Sequence, residues 1–262
     1  MWGFVTPERR NAPILSGRWT TTRRALAPTP THPRVVAGRL RILSGVSVAP
    51  QPDVLARGPW APQDVVAHWL DEHFDPAPEA SAQADQAIEA LRRRGSPSHD
   101  GLAARLVNHR EHNGRLELQL QPLRWSLRLV PGDAAASVSA LCVTRAHDGR
   151  WLAGRRAGWL SQWAGRWTLG AGGAVDVGES PAQTLERELM EEWSVTPERL
   201  TVEALIRLPH EMVMVVGLAW LEDGAEVVPD HEHDAYAWWP SDVDDWPPEA
   251  SDELRAMARA LV

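Results

Sequence analysis

The 262-residue sequence contains no lysine and only one cysteine, Cys142. A single cysteine excludes an intrachain disulfide and fits a reducing compartment, so we expect a cytoplasmic protein. The longest apolar run, Met212 to Leu221, has ten residues, whereas about 18 are needed to cross a bilayer. With 44% hydrophobic and 24% charged residues, the composition is typical of a globular chain that can form a core.

Negative charge is concentrated in the second half of the chain. Residues 1–134 contain 17 arginines and 13 acidic residues, a net charge of +4, whereas residues 135–262 contain 10 arginines and 22 acidic residues, a net charge of −12. Because nucleic-acid backbones are negatively charged, the second half is a poor surface for binding them. The acidic second half is compatible with a site in which divalent cations neutralise the carboxylates.

Composition and pattern divide the chain into three parts. Residues 1–35 are rich in Arg, Thr and Pro and contain one acid, Glu8, which predicts a basic, disordered tail; a transit peptide of similar composition stays open. Residues 36–134 predict a small α+β module. The turn-forming stretch VPGDAA at residues 130–135 marks the expected boundary, and residues 135–262 predict a second domain.

Periodicity predicts the secondary structure within these parts. In the module we expect helices from Pro62 to Phe74 and from Ala80 to Arg94, then two strands, 116–121 and 123–129, on either side of Pro122. In the second domain we expect helices at 181–193 and 248–261 and strands at 138–144, 150–155, 166–169, 174–177, 202–208, 212–221 and 235–239.

The helix at 181–193 has four glutamates within seven positions: Glu186, Glu188, Glu191 and Glu192. Its start is marked by Ser180 as N-cap, Pro181 at the first helical position and Gln183 three residues after the cap. Like charges three or four residues apart repel each other by about 0.2–0.5 kcal/mol per pair. On a helical wheel Glu188, Glu191 and Glu192 share an arc beside the apolar stripe, and Glu186 lies on the opposite flank. Either this arc is a solvated acidic face, or it binds a hard divalent cation such as Mg²⁺.

A glycine-rich stretch precedes this helix. LGAGGAVDVGE places Gly170, Gly172, Gly173 and Gly178 close together, and glycine permits a close approach between backbone and ligand. Such a loop next to a carboxylate-lined helix would bring carbonyl oxygens and carboxylates to one place.

These residues resemble the Nudix box. The family pattern is Gly, five residues, Glu, seven residues, Arg-Glu-apolar-any-Glu-Glu-any-Gly-apolar. The segment from Gly173 to Val195 matches eight of its nine specified positions, and Ser194 replaces the usual final glycine. The resemblance implies a Nudix-type α/β/α sandwich with a mixed sheet over residues 135–262. It also implies a hydrolase that uses Mg²⁺ or Mn²⁺ and splits the pyrophosphate of a nucleoside diphosphate linked to another moiety.

Carried over by position, the resemblance implies that Glu188, Glu191 and Glu192 are metal ligands and that Glu179 pairs with Arg187 to brace the loop. Glu191 is one candidate for the base that activates water. A carboxylate from PDHEHDAY, either Glu232 or Asp234, is another. Ser194 is expected to affect the end of the helix and not the chemistry.

Substrate contacts are predicted near the box. Gly172 and Gly173 lie in the loop, Arg155 and Arg156 could bind phosphate at the end of a strand, and Trp159 and Trp163 could stack on a base. Each of these side chains also has a structural reading, as surface arginines and core tryptophans. His231 and His233 are expected at the surface, and Cys142 is expected to be buried and inert.

Two other functions stay open. One is an isomerase of isopentenyl diphosphate with a Nudix-type fold, which would use a cysteine as acid or base, and Cys142 is the only one available. The other is a non-catalytic binding or regulatory protein, which the complete set of box glutamates disfavours. A small-molecule diphosphate is the expected ligand, and a homodimer is left open.

Overall fold

The computed structural model describes residues 52–96, 100–130, 136–160, 163–209 and 211–262. The predicted tail at 1–35 and most of the predicted boundary at 130–135 lie outside these residues. The helices are α1 (Pro78–Arg93), α2 (Pro181–Trp193) and α3 (Asp252–Ala260). The strands are β1 (Asp53–Trp60), β2 (Val65–Trp69), β3 (Leu102–His112), β4 (Arg115–Arg124), β5 (Val138–Arg145), β6 (Trp151–Arg156), β7 (Trp167–Leu169), β8 (Ala171–Ala174), β9 (Arg199–Arg207), β10 (Val213–Trp220) and β11 (His233–Trp239).

The larger sheet is mixed and has the strand order β1-β9-β10-β5-β6-β11, with β7 paired to β6 and β8 paired to β5. Strands β5 and β10 run parallel along their whole lengths, and the other pairs are antiparallel. The expected mixed sheet is therefore confirmed. The predicted strand at 174–177 lies three residues earlier, at Ala171–Ala174, because its glycines pair with β5.

Helices cover both faces of this sheet. Successive residues of β5 point to opposite faces: Cys142 packs with Leu185 and Leu189 of α2, whereas Val143 packs in a second cluster with Ala258 of α3. The two clusters are the cores on either side of the sheet. This arrangement is the predicted α/β/α sandwich.

The second sheet has the strand order β2-β4-β3. Leu116, Leu118 and Leu120 of β4 are fully buried in the same core as α2, as the alternation of leucine with polar residues predicts. Strand β1 comes from the same part of the chain but pairs with β9 in the larger sheet. A strand from before residue 135 therefore belongs to the larger sheet, and the described residues from 52 onwards lie in one compact unit.

Two predicted elements of the module are wrong. The helix expected from Pro62 to Phe74 is a 3₁₀ turn at Pro62–Asp64 followed by β2, because Val65 and its successors pair in parallel with β4. Valine favours such a half-buried strand. The strand expected at 123–129 is a 3₁₀ helix, Trp125–Leu129.

Strand β4 does not stop at Pro122, as the sequence suggested, but continues to Arg124. Its last pair with β2 joins Leu120 to Trp69, so Pro122 lies beyond the end of that neighbour. A proline is tolerated at such a position because no hydrogen bond from its nitrogen is needed. In the described part of the chain, no helix is long and apolar enough to cross a membrane.

Candidate active site

Helix α2 begins and ends with defined caps. Ser180 Oγ accepts a hydrogen bond from the Gln183 N–H, and the Gln183 side chain accepts one from the Ser180 N–H, so the predicted capping box is formed. At the other end Ser194 adopts a left-handed conformation with φ 56° and ψ 34°. This is the conformation for which the family pattern uses glycine. Ser194 therefore ends the helix after Trp193, at the position where the family pattern has glycine.

Glu188 and Glu192 of α2 are buried, with 9% and 5% of their surface exposed. The glycine loop lies directly against them. The Gly172 N–H donates to Glu192 Oε1 at 3.0 Å, and a Cβ at Gly173 would collide with the Glu188 carboxylate. The loop and the helix thus meet as predicted, and a side chain at residue 173 would displace the Glu188 carboxylate from its present position.

Glu191 and Glu186 differ from this buried pair, because both are exposed. The helical wheel correctly separated Glu186 from Glu188 and Glu192. It placed Glu191 beside them as well, but Glu191 lies at the solvent edge of the cluster.

Arg187 links most of the acidic groups. Its Nε donates to Glu179 Oε1 at 3.0 Å, and its Nη1 donates to Glu188 Oε1 at 2.7 Å and to Glu191 Oε2 at 3.1 Å. The predicted pair of Glu179 and Arg187 is therefore present, and Thr184 Oγ1 also donates to Glu179. In this arrangement no three His, Cys, Asp or Glu side chains of the described residues form a ready metal-binding group.

The electrostatics of the two buried glutamates are unfavourable. Burial raises the pKa of Glu188 to about 7, although Arg187 opposes this shift. Burial also raises the pKa of Glu192 well above its ordinary value, and the charges of Glu188 and Glu232 add to the effect. A cation beside both groups would offset the cost of desolvating two neighbouring carboxylates. The donor set thus fits a hard divalent ion, which prefers carboxylate oxygens.

Residues of the first part of the chain hold the loop between β8 and α2. The Ala104 N–H donates to the Val175 carbonyl at 2.9 Å, and Ala103 forms a β-bridge with Asp176. Trp69 Nε1 donates to the Glu179 carbonyl at 3.1 Å. The loop between β8 and α2 is therefore supported by the second sheet as well as by α2.

The two predicted phosphate-binding arginines are paired with acidic residues. Arg155 Nε donates to Asp234 Oδ1 at 2.6 Å, and Arg156 Nη2 donates to Glu232 Oε2 at 3.2 Å. The charge of Glu232 contributes to the raised pKa values of Glu188 and Glu192. The structure thus brings Glu232 and Arg156 to the edge of the buried cluster, and Arg155 and Asp234 form a more exposed pair beside them.

Trp159 and Trp163 are exposed, at 43% and 44% of their surface, so neither is a core tryptophan. The Trp159 ring stacks on His231 with 5.4 Å between ring centroids and 12° between planes. His231 is exposed, as expected. Among the described residues, neither tryptophan forms a hydrogen bond with the glutamates of α2.

The prediction that His233 lies at the surface is wrong. Its side chain is completely buried, and its Nε2 lies 3.7 Å from Glu192 Oε2. Alternation along β11 does not predict this, because a register shift separates His233 from Ala235. His233 packs against Trp193 in the core on the α2 side, whereas Trp239 lies in the core on the other face.

Cys142 is fully buried, as predicted. Burial raises the pKa of its thiol to about 12, and Gly170 packs directly against its carbonyl. The thiol is therefore enclosed in the core between the sheet and α2 and is protonated at neutral pH.

Residues 134–259 match the family model of the NUDIX domain, and several solved structures are similar to the chain. Among solved structures, the chain is similar to the MutT protein of Methanosarcina mazei Go1, with 23% identity over 47% of this chain and 90% of that one and a TM-score of 0.37. It is also similar to a C. elegans Ap4A hydrolase, with 24% identity, 48% and 94% coverage, and a TM-score of 0.38.

A third similar structure is the NUDIX domain of Shewanella oneidensis NrtR complexed with ADP ribose. The identity is 21%, the match covers 48% of this chain and 85% of that one, and the TM-score is 0.39. The comparison with curated proteins found no match. A mixed sheet between helices, with a glycine loop on a glutamate-lined helix, defines the Nudix class. By the match to the family model, residues 134–259 of the chain are a NUDIX domain.

Proposed function

We propose that the protein is a divalent-metal-dependent pyrophosphohydrolase that cleaves a nucleoside diphosphate linked to another moiety. The observation that carries this proposal is the buried pair Glu188 and Glu192 against the glycine loop. Two neighbouring carboxylates without a full complement of cations are costly. A cation bound beside both carboxylates would offset this cost and would also bind substrate phosphates. The buried pair therefore favours a metal-dependent site for phosphate chemistry.

In this proposal Glu188, Glu191 and Glu192 hold Mg²⁺ or Mn²⁺. The bound ion would neutralise phosphate charge and lower the pKa of the attacking water. Glu191 sits at the solvent edge, where it could exchange its contact with Arg187 for the ion. Arg187 keeps Glu179 as its partner and continues to tie the loop to the helix.

The remaining residues of the site bind the substrate and take up the proton of the water. Arg155 and Arg156 offer guanidinium donors to phosphate oxygens, and the exposed faces of Trp159 and Trp163 are available for stacking on a base. Glu191 and Glu232 are the two candidates for the general base, since both are carboxylates at the edge of the cluster. Glu232→Gln separates them, because Glu232 is not one of the proposed metal ligands. If Glu232 is the base, this change should lower kcat without weakening Mn²⁺ binding. An unchanged kcat would leave Glu191 as the candidate.

The isomerase alternative is disfavoured by the position of Cys142. A cysteine acting as acid or base must reach the substrate, whereas this thiol is fully buried and has a pKa of about 12. A purely binding role is disfavoured because the chain retains all the glutamates of the motif.

The test is the release of products from a panel of diphosphates, with and without Mg²⁺ or Mn²⁺. The panel includes ADP-ribose, NADH, UDP-glucose, diadenosine polyphosphates, nucleoside triphosphates, coenzyme A and isopentenyl diphosphate. Glu192→Gln is compared with Glu186→Gln, which makes the same change on an exposed face of the same helix. We expect metal-dependent cleavage of at least one member, lost in the first variant and kept in the second. Equal activity of the two variants would refute the proposal.

A further inference from the structure

The guanidinium of Arg128 lies at the start of strands β5 and β10, although Arg128 itself precedes the family match. The residue belongs to the 3₁₀ helix Trp125–Leu129. Its Nη2 donates to Ser139 Oγ at 2.9 Å and lies 3.9 Å from Met212 Sδ. Its Cζ lies 5.3 Å from the centre of the Trp125 ring. These contacts hold the side chain against the larger sheet.

Arg128 differs from the other arginines of the site because no acidic side chain neutralises it. Arg155, Arg156 and Arg187 each form an ion pair with a carboxylate. Within the described ranges, no ion pair joins Arg128 to an acidic residue. A largely enclosed cation with only neutral partners is costly. An anion bound beside the guanidinium would offset this cost.

The loop between β8 and α2 begins next to this guanidinium. Ser139 is paired with Ala174, which follows Gly173, and a Cβ at Gly173 would collide with the Glu188 carboxylate. Burial lowers the pKa of Arg128 to about 10, although the charge of Glu188 opposes this shift. A phosphate chain bound to a cation at Glu188 would therefore lie within the electrostatic reach of Arg128.

The face of the sheet beside Arg128 is only partly covered. Ser139, Met214 and Ile206 are in register across β5, β10 and β9, so their side chains share one face. Leu141 lies two residues after Ser139 and points to the same face. Leu141 and Ile206 are partly exposed, as is Arg128 itself. This face therefore leaves room for a ligand beside the guanidinium.

We propose that Arg128 binds a phosphate group of the diphosphate substrate, so that the part of the chain before the NUDIX domain contributes to the substrate site. A guanidinium can donate two parallel hydrogen bonds to one phosphate. It also keeps its positive charge when it is enclosed, which suits an anion site inside a protein. This inference rests on the proposed function, because it takes a diphosphate as the substrate and Glu188 as a ligand of the cation.

The alternative is that Arg128 only holds the 3₁₀ helix against β5 through its hydrogen bond to Ser139. Two substitutions separate these roles. Arg128→Gln removes the charge, whereas Arg128→Lys keeps the charge and loses the planar fork. A phosphate-binding role predicts that the lysine variant binds a diphosphate more tightly than the glutamine variant. A purely structural role predicts that both variants change the free energy of unfolding and that neither changes anion affinity.

The experiment is a calorimetric titration of the full chain with methylenediphosphonate, a diphosphate analogue that resists hydrolysis, with Mn²⁺ in excess. We expect Arg128→Gln to bind the analogue about 10–100-fold more weakly than the wild type, because a charge-assisted hydrogen bond is lost. Arg128→Lys should bind with an intermediate affinity. Arg115→Gln, at the exposed start of β4, makes the same change in charge and should leave the affinity unchanged.

A titration with Mn²⁺ alone distinguishes loss of the anion site from loss of the metal site. Arg128→Gln should not bind Mn²⁺ more weakly than the wild type, because a cation near Glu188 opposes the binding of a second cation. Urea unfolding tests whether each variant folds. If Arg128→Gln does not fold, Arg128→Met, which has an unbranched and uncharged side chain, takes its place.

Three results would overturn the inference: wild-type affinity for methylenediphosphonate in Arg128→Gln, equal weakening in the Gln and Lys variants, or a loss of Mn²⁺ affinity large enough to account for the weakening. Glu192→Gln is titrated with Mn²⁺ in parallel to distinguish the two levels of argument. If it binds Mn²⁺ like the wild type, the proposed function fails. If it loses Mn²⁺ while Arg128→Gln keeps its affinity for the analogue, only the role of Arg128 fails.

Discussion

The replacement Ser194→Gly should stabilise the protein, because Ser194 ends α2 in a left-handed conformation with φ 56°. A residue with a Cβ adopts this conformation at a cost of about 1–2 kcal/mol, and glycine does not. The Ser194 side chain is exposed, so its removal loses little packing. The hydrogen bond from the Ser194 N–H to the Met190 carbonyl, 3.0 Å long, would remain.

Glycine also increases the conformational freedom of the unfolded chain, at a cost of about 0.4–1 kcal/mol. The midpoints of the two ranges differ by about 0.8 kcal/mol, which is the expected net gain in the free energy of unfolding. For a chain of this size it corresponds to a rise in Tm of about 1–4 °C. Urea unfolding, with thermal unfolding as a second probe, would measure the gain.

The matched control is Asn113→Gly in the turn between β3 and β4, where Asn113 has a φ of 51°. Asparagine tolerates the left-handed region better than serine, so this change should give the smaller gain. The reasoning would be refuted if Ser194→Gly were no more stable than the wild type, or if both replacements gave the same gain.

Three other predictions concern the loop, an ion pair and the cysteine. Gly173→Ala should weaken Mn²⁺ binding and abolish cleavage, because the added Cβ collides with Glu188. Burial raises the pKa of Asp100, but hydrogen bonds from Arg124 and a neighbouring serine lower it below 3.8 overall. The unfolded chain thus binds more protons in acid, so the stabilisation is present at pH 7 and fades as the pH falls below about 4. Asp100→Asn should therefore unfold at lower urea concentration at pH 7, with a smaller difference at pH 3. Cys142 should react with a thiol reagent only after denaturation, because it is fully buried.

Each of these predictions has a contradicting result. Wild-type Mn²⁺ affinity in Gly173→Ala would show that the loop can move away from the helix. A difference between Asp100→Asn and the wild type that does not change between pH 7 and pH 3 would exclude the ion pair as its source. Rapid labelling of the folded protein, which has one thiol, would show that the core between the sheet and α2 opens.

The parts of the structure set by local interactions could be predicted from the sequence. The start of α2 depends on side chains within four residues of each other, and its capping box is formed as expected. The wheel also separated Glu188 and Glu192 from Glu186 correctly, because burial of a helix face follows from spacing. The pairing of Glu179 with Arg187 followed from the family pattern.

The parts that depend on distant pairing could not be predicted in this way. Val65–Trp69 become a strand because β4 lies beside them, although the two segments are separated along the chain. Strand β1 pairs with β9, and nothing within β1 itself identifies that partner. His233 was misjudged for a related reason: its burial depends on Trp193 of α2 and Gly154 of β6.

The loop between β8 and α2 depends both on the local sequence motif and on pairing with distant strands. The motif specifies the glycines and glutamates, but Val175 and Glu179 of the loop accept hydrogen bonds from Ala104 and Trp69. Both donors come from the part of the chain before the family match. A loop that must bring backbone groups to buried carboxylates has to be held in one conformation. The second sheet supplies that support, so it belongs to the architecture of the site even though none of the motif residues lies in it.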